Sequence, residues 1–432
     1  MKKEDSPIPQ FANALINAGI EVSPEQIASG ITFVSTKEDG TSLVDKDGNP
    51  FVVAVYNLDP DPNTTGETLE GKTTLMIAKR NESNIYEWKP YTHGELASAI
   101  EILTGVSDSI TGSLNSPTLS EFNQIVLADA LWKIPYSSRK SLFPKEGVIN
   151  PQPLIDAVNT AQRKYPSSEL MVFHLNWGNH IALPDWLING NFSKAQLKQM
   201  VNDYIVQVLT PLKGKVRSWV VVNEPFGNFW SWSSNKDTRF WYDKLGSNTE
   251  WIKEAFRTAN QIDPNAKLIL NDYGIEIGNN TLYDSVKADK IFSIAQELHQ
   301  DGIPIAVGFQ MHLNLQYQNP NSSLVENFRK ILRKYTDAGI EVKITEWDIR
   351  TDGVGGSSKE KNQLQAKAYY ELMKVALEEG ITDINYFGIN DEESWLKDFG
   401  AEATLKDHRG FPKAAWVAIN QALTEHVLGL DK

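Results

Sequence analysis

One short signal recurs through the second half of the chain and limits the fold more than any other: Asp-Gly302-Ile, Ala-Gly339-Ile and Glu-Gly380-Ile, at intervals of 37 and 41 residues. Each closes a stretch of helical periodicity and opens a β-branched run. Glycine takes the left-handed backbone that stops a helix without steric cost. An interval of this length holds one strand and one helix, and successive βα units lay their strands parallel with the helices outside. The pattern places strands near residues 102–106, 122–127, 169–175, 216–222, 267–271, 305–310, 341–346 and 383–388. Eight such strands make a (β/α)8 TIM barrel.

Helix signals fit the same rhythm. Ser247-Asn-Thr-Glu250 has the pattern of a capping box, and Ile252, Ala255, Phe256, Ala259 and Ile262 then form one apolar stripe up to Pro264. Ser323-Leu-Val-Glu326 repeats the box before a helix that turns Phe328, Ile331, Leu332 and Tyr335 inward. The first 95 residues break the rhythm: Ile31–Ser35, Phe51–Tyr56 and Thr74–Ala78 are strand-like and separated by turn-rich stretches. Residues 1–95 are therefore expected to form a small β-rich extension, and 96–432 the α/β barrel. Trp88 is the only tryptophan of the extension, which favours a structural cap over a sugar-binding module.

Two barrel strands end in a carboxylate: Trp219-Val-Val-Val-Asn223-Glu224-Pro225 and Val342-Lys-Ile-Thr-Glu346-Trp347-Asp348. Side chains at the carboxyl ends of barrel strands line one mouth, so Glu224 and Glu346 are expected to meet there. A pair of acids in one pocket is the minimum equipment for breaking a glycosidic bond. Lys267-Leu-Ile-Leu-Asn271-Asp272-Tyr273 and Ile305-Ala-Val-Gly-Phe-Gln310-Met-His312 deliver further polar groups to the same end. Gln310 and His312 are two apart and share a face if the strand persists. Trp347 then points away from the face of Glu346.

Composition narrows the partners. Lys and Arg number 42 against 55 Asp and Glu, a net charge of −13 that opposes binding to nucleic acid or an anionic membrane surface and suits a neutral polysaccharide. Cysteine is absent, which removes disulfides, thiolate catalysis and Cys-ligated zinc. No metal or cofactor is implied. Met-Lys-Lys-Glu-Asp at the start leads into no apolar run, so the expectation is a secreted chain whose signal has been removed, with a cytoplasmic chain as the alternative.

The blocks around the acids resemble glycoside hydrolase family 10, the β-1,4-xylanases of the large retaining (β/α)8 clan. The likeness runs from roughly residue 100 to 425. It rests on Asn223-Glu-Pro225, the stretch from Phe240-Trp-Tyr-Asp-Lys-Leu-Gly246 through Glu254-Ala-Phe-Arg257 and Asp263-Pro-Asn-Ala-Lys267 to Asn271-Asp-Tyr273, Gly308-Phe-Gln-Met-His312, Ile344-Thr-Glu346, and Ser394-Trp395 with Pro412-Lys-Ala-Ala-Trp416. It implies a retaining endo-β-1,4-glycosidase acting on xylan or xylo-oligosaccharides, with Glu346 as nucleophile, Glu224 as acid/base, and carboxyls about 5–5.5 Å apart. It further implies that Asn223 bonds a sugar 2-hydroxyl and that His312, oriented by Asp348, holds the nucleophile beside Gln310. Trp395, Tyr273 and Trp177 are placed in the cleft as amphipathic surfaces for sugar rings.

The likeness weakens where the glycone sugars are gripped. Ala128 and Asp129 stand where the family has a Glu-Asn pair, and Lys133 matches the family's Lys only with a one-residue shift. His174, Trp177 and His180 are all candidates for the third strand's ligands, because the spacing to Pro184-Asp-Trp186 does not match the family's. Phe387 stands where the family has a Trp under the reacting sugar. These changes keep open a related activity on another β-glucan or a substituted oligosaccharide. A non-catalytic carbohydrate-binding barrel is a further reading, opposed by the retention of both acids with His312.

Overall fold

The computed structural model describes residues 31–34, 51–56, 76–80, 86–90, 93–99, 102–107, 114–128, 130–133, 141–226, 239–246, 249–277, 285–316, 322–388 and 390–427. Four strands, β1 (Ile31–Val34), β2 (Phe51–Tyr56), β3 (Met76–Arg80) and β4 (Tyr86–Pro90), form an antiparallel sheet in sequence order. The last of them, which carries Trp88, has no counterpart among the three strands expected there. From β5 onward the strands are parallel: β5 (Leu103–Ser107), β6 (Gln124–Leu127), β7 (Glu169–Val172), β9 (Ser218–Asn223), β10 (Lys267–Asp272), β11 (Ile305–Phe309), β13 (Glu341–Arg350) and β14 (Asp383–Phe387). β14 pairs back onto β5 and closes the eight-stranded barrel. Two short strands, β8 (Asn176–Trp177) and β12 (His312–Asn314), extend the mouth alongside β9 and β13.

The helices are α1 (His93–Ala99), α2 (Gln152–Lys164), α3 (Asp185–Ile188), α4 (Lys194–Leu209), α5 (Phe240–Leu245), α6 (Glu250–Ile262), α7 (Ser285–Gln300), α8 (Ser322–Thr336), α9 (Ser358–Glu378) and α10 (Ala414–Val427). None among the described residues is long and apolar enough to cross a membrane. The three recurring glycines end α7, α8 and α9 as expected, with φ of 76°, 72° and 77°. Each sits in the same hydrogen-bonded stop: Gly302 N–H donates to His299 O and Ile303 N–H to Leu298 O, with matching pairs at Gly339–Ile340 and Gly380–Ile381. The isoleucine of each signal is buried behind the stop.

The capping box expected at Ser247 lies outside the described residues, and the one at Ser323 does not stand at a helix cap. α6 begins at Glu250, with Thr249 at its cap and no side-chain cap bond. α8 already includes Ser322, so Ser323 falls within its first turn. The apolar stripes hold: Ile252, Ala255, Phe256 and Ala259 are buried on α6, and Phe328, Leu332 and Tyr335 on α8. They join the large core between strands and helices, whereas Val126, Met171, Phe173, Val220, Ile269 and Ala306 fill the barrel's interior.

Candidate active site

Both acid-bearing strands are irregular just before their carboxylates. Between β9 and β10 the pairing passes from Val220–Ile269 to Val222–Leu270, so β9 carries one extra residue. Between β13 and β14 it passes from Ile344–Ile384 to Trp347–Tyr386, again one extra residue on the acid's strand. A bulge re-aims the side chains after it. Val220 and Asn223, three apart, therefore both meet the barrel interior, and Thr345 and Glu346, adjacent in sequence, both make bonds at its mouth. Trp347 turns outward as expected, against Tyr369 and Tyr386. Glu224 itself sits at φ 48°, a backbone that costs a non-glycine residue about 1–2 kcal/mol; its N–H donates to Asn271 O at 2.9 Å.

Glu346 is 4% exposed and saturated with donors. His174 Nε2 lies 3.4 Å from its Oε1, His312 Nε2 lies 3.3 Å from its Oε2, and Asn271 Nδ2 donates to Oε1 at 2.7 Å. Burial alone would raise this carboxyl, but the two histidines outweigh it and hold the pKa down at about 2. Glu224 is half-buried, with Trp177 Nε1 donating to Oε2 at 3.0 Å and Gln310 Nε2 to Oε1 at 3.0 Å. Asn223 Oδ1 accepts from Asn271 at 2.9 Å and from Gln310 at 3.1 Å. Asn271 and Gln310 thus join the two acids through Asn223, and residues 224 and 346 converge on one polar network.

The expected supporting residues divide sharply. His312 Nδ1 is 2.9 Å from Asp348 Oδ2, and Trp395 Nε1 donates to the same oxygen at 2.7 Å. Burial opposes a charge on His312, but Asp348 and Glu346 together raise its pKa well above the usual value. Gln310 and His312 do not lie on one continuous strand: Met311 at φ 58° interrupts it, and the two side chains serve different acids. Phe387 is half-buried, its ring 5.4 Å from that of His312 and stacked toward Phe173. Tyr273 lies half-buried just past β10, with Lys287 Nζ 3.8 Å from its ring centre.

The three candidates of the third strand part in the structure: His174 reaches Glu346, Trp177 reaches Glu224, and the ring of His180 packs 6.1 Å from Phe240. Ala128 packs against the apolar interior cluster beside Phe387, while Asp129 lies outside the described residues. Lys133 pairs with Asp185 at 3.1 Å on the rim.

Sequence reasoning underrated Asn271. Its Nδ2 bridges Glu346 and Asn223 while its Oδ1 accepts from Thr345 Oγ1 at 2.6 Å. Its room comes from Gly308 on β11, where an added Cβ would land on Asn271 Oδ1 and come within 2.9 Å of Ile269 Cγ2. Gly308→Ala is therefore expected to shift Asn271 and cost roughly 10²-fold in kcat, since displacements of about 1 Å in such a site are that costly; kinetics beside a thermal melt check it, and an unchanged kcat would contradict it. Next to Asn271, Asp272 is fully buried with Lys287 Nζ at 2.8 Å. Burial, opposed by Lys287 and aided by the charge of Glu224, pushes Asp272 up to about 7.

The low pKa of Glu346 has a sign that can be tested. Its folded value lies below the unfolded one, so its contribution to stability is full above about pH 4.3 and is lost as pH falls toward 2. A ¹³C-labelled carboxyl at this position is expected to stay ionised from neutrality down to about pH 2. Titration in the ordinary carboxylate range would show the histidine contacts to be ineffective.

An eight-stranded βα barrel with one acid just past β9 and one on β13, bridged by amides and backed by histidines, defines a glycoside hydrolase. The sequence model of Glycosyl hydrolase family 10 matches residues 108–422, and the chain belongs to that family. It is 31% identical over 263 residues to endo-1,4-beta-xylanase B of Thermotoga neapolitana, covering 59% of this chain and 70% of that protein. It is 27% identical over 321 residues to endo-1,4-beta-xylanase A of Thermoanaerobacterium saccharolyticum, covering 70% of this chain but only 25% of that longer protein. Among solved structures, xylanase 10B from Thermotoga petrophila RKU-1 in complex with xylobiose superposes with a TM-score of 0.64 at 27% identity, covering 77% of this chain and 97% of that one.

Proposed function

We propose that this chain is an endo-β-1,4-xylanase that cleaves the xylan backbone with retention, through Glu346 as nucleophile and Glu224 as acid/base. The asymmetry between the two acids carries the reading. A nucleophile must be charged, and Glu346 is buried among donors that keep it so. A proton donor must be reachable by the leaving oxygen, and Glu224 is half-buried at the mouth.

Glu346 attacks the anomeric carbon while Glu224 gives its proton to the departing sugar. The bond to the sugar removes the charge on Glu346, and Glu224, relieved of that repulsion, takes a proton from water in the second step. The Oδ1 of Asn223 is occupied by Asn271 and Gln310 and its Nδ2 donates to Glu224 Oε1 at 3.4 Å, so its second amide N–H is the one left for a sugar 2-hydroxyl, a contact that strengthens as the ring becomes oxocarbenium-like. The xylanase names of the relatives above support the substrate.

Proton NMR of the first product tests the stereochemistry: the β-anomer is expected to form first, and an initial α-anomer would overturn retention. A polysaccharide panel tests the substrate. A clear preference for a glucan over xylan would transfer the same chemistry to another backbone, a reading motivated by Ala128 and Asp129 at the positions of the family's Glu-Asn pair.

A further inference from the structure

After Glu346 at the mouth, β13 continues regularly beside β12, so Asp348 and Arg350 share a face and step outward toward the rim by roughly 6.6 Å. The end of β14 and the segment after it set an aromatic ring beside this row at three places. Phe387 stands against His312, the partner of Glu346. Trp395 bonds Asp348. Phe399 lies 5.8 Å from the guanidinium of Arg350. The outer two are open to solvent: Trp395 is 43% exposed, and Phe399, at 65%, is the most exposed large apolar side chain among the described residues.

Phe399 faces water although an apolar cluster lies next to it in the chain. Leu396, Ala401 and Ala403 form a buried cluster directly beneath the loop. Phe399 N–H donates to Leu396 O, and Gly400, at φ 66°, ends the short turn Lys397–Phe399, so the backbone holds the ring outward. Arg350 is itself fixed, with Nε donating to Asp352 Oδ1 at 2.7 Å. A rigid ring with a cation at hand, one open surface, and a guanidinium–carboxylate pair beside it suits a pyranose: C–H groups meet the ring, and hydroxyls meet the donors and acceptors.

We infer that Phe399, with Arg350 and Asp352, is an outer sugar-binding platform that continues the cleft beyond Trp395 and takes a further ring of the same neutral β-1,4-linked chain. The inference rests on the proposed xylanase reading. Its ligand is an extension of the substrate, because the platform is continuous with the site through β13.

The test compares wild type, Phe399→Ala and Phe399→Trp on polymeric xylan and on an aryl β-xylobioside too short to span the cleft. Phe399→Ala is expected to raise KM on xylan roughly three- to ten-fold at unchanged kcat, leave the aryl substrate unaffected, and be rescued by Phe399→Trp. An unchanged KM on xylan, or equal losses on both substrates, would overturn the platform while leaving the xylanase reading intact. A wild-type enzyme that cleaves the aryl substrate but no xylan would overturn both.

Discussion

Glu346→Ala is expected to lower kcat on the order of 10⁴-fold or more, on xylan and on activated aryl glycosides alike. A better leaving group helps only bond cleavage, and without the carboxylate nothing holds the anomeric carbon from the opposite face. The fold is expected to survive with some loss of stability at neutral pH, because the favourable bonds that hold Glu346 ionised are lost while Asp348 still faces His312. The vacated space beside His174, His312 and Asn271 can admit a small anion. Azide entering there attacks from the nucleophile's side, so the rescued product is the α-glycosyl azide. Residual turnover above roughly one per cent, or a rescued β-azide, would remove Glu346 from the nucleophile's role.

Much of this was legible in the chain itself, for physical reasons that differ from element to element. Gly302, Gly339 and Gly380 announced three helix ends because each needs a left-handed residue, a local demand that local sequence can express. The strands were legible as β-branched runs, and the two acids as the polar residues that close two of those runs. The bulges in β9 and β13 were not, since they exist only relative to the neighbouring strand's register. This is also why Asn271 was underrated: its importance lies in bridging residues from two other strands across a gap that Gly308 leaves open.

The capping box at Ser323 shows the opposite failure. The motif was present, but the helix began elsewhere, because tertiary packing of the apolar stripe decides where a helix starts. His174 could not be separated from His180 by spacing alone. The chain's path after β7 carries one to Glu346 and the other to Phe240. Phe399 had no sequence signal at all, since an exposed aromatic in a loop becomes informative only when its neighbours are known.

Glu224→Ala is expected to produce losses that depend on the substrate. Xylan departs as a poor leaving group and needs the proton, so its hydrolysis is expected to fall by about 10³–10⁴-fold. An aryl glycoside with an acidic phenol leaves unaided, so the glycosyl-enzyme forms nearly as before and then waits for water that no base activates. The expected record is a burst of phenol followed by a slow steady rate, with a very low apparent KM. Azide needs no base and enters from the face that Glu224 occupied, giving the β-glycosyl azide, the opposite anomer to that from Glu346→Ala. Equal losses on both substrates, or no burst with the activated phenol, would show that Glu224 acts on binding rather than on the proton, and the division of labour between the two acids would have to be redrawn.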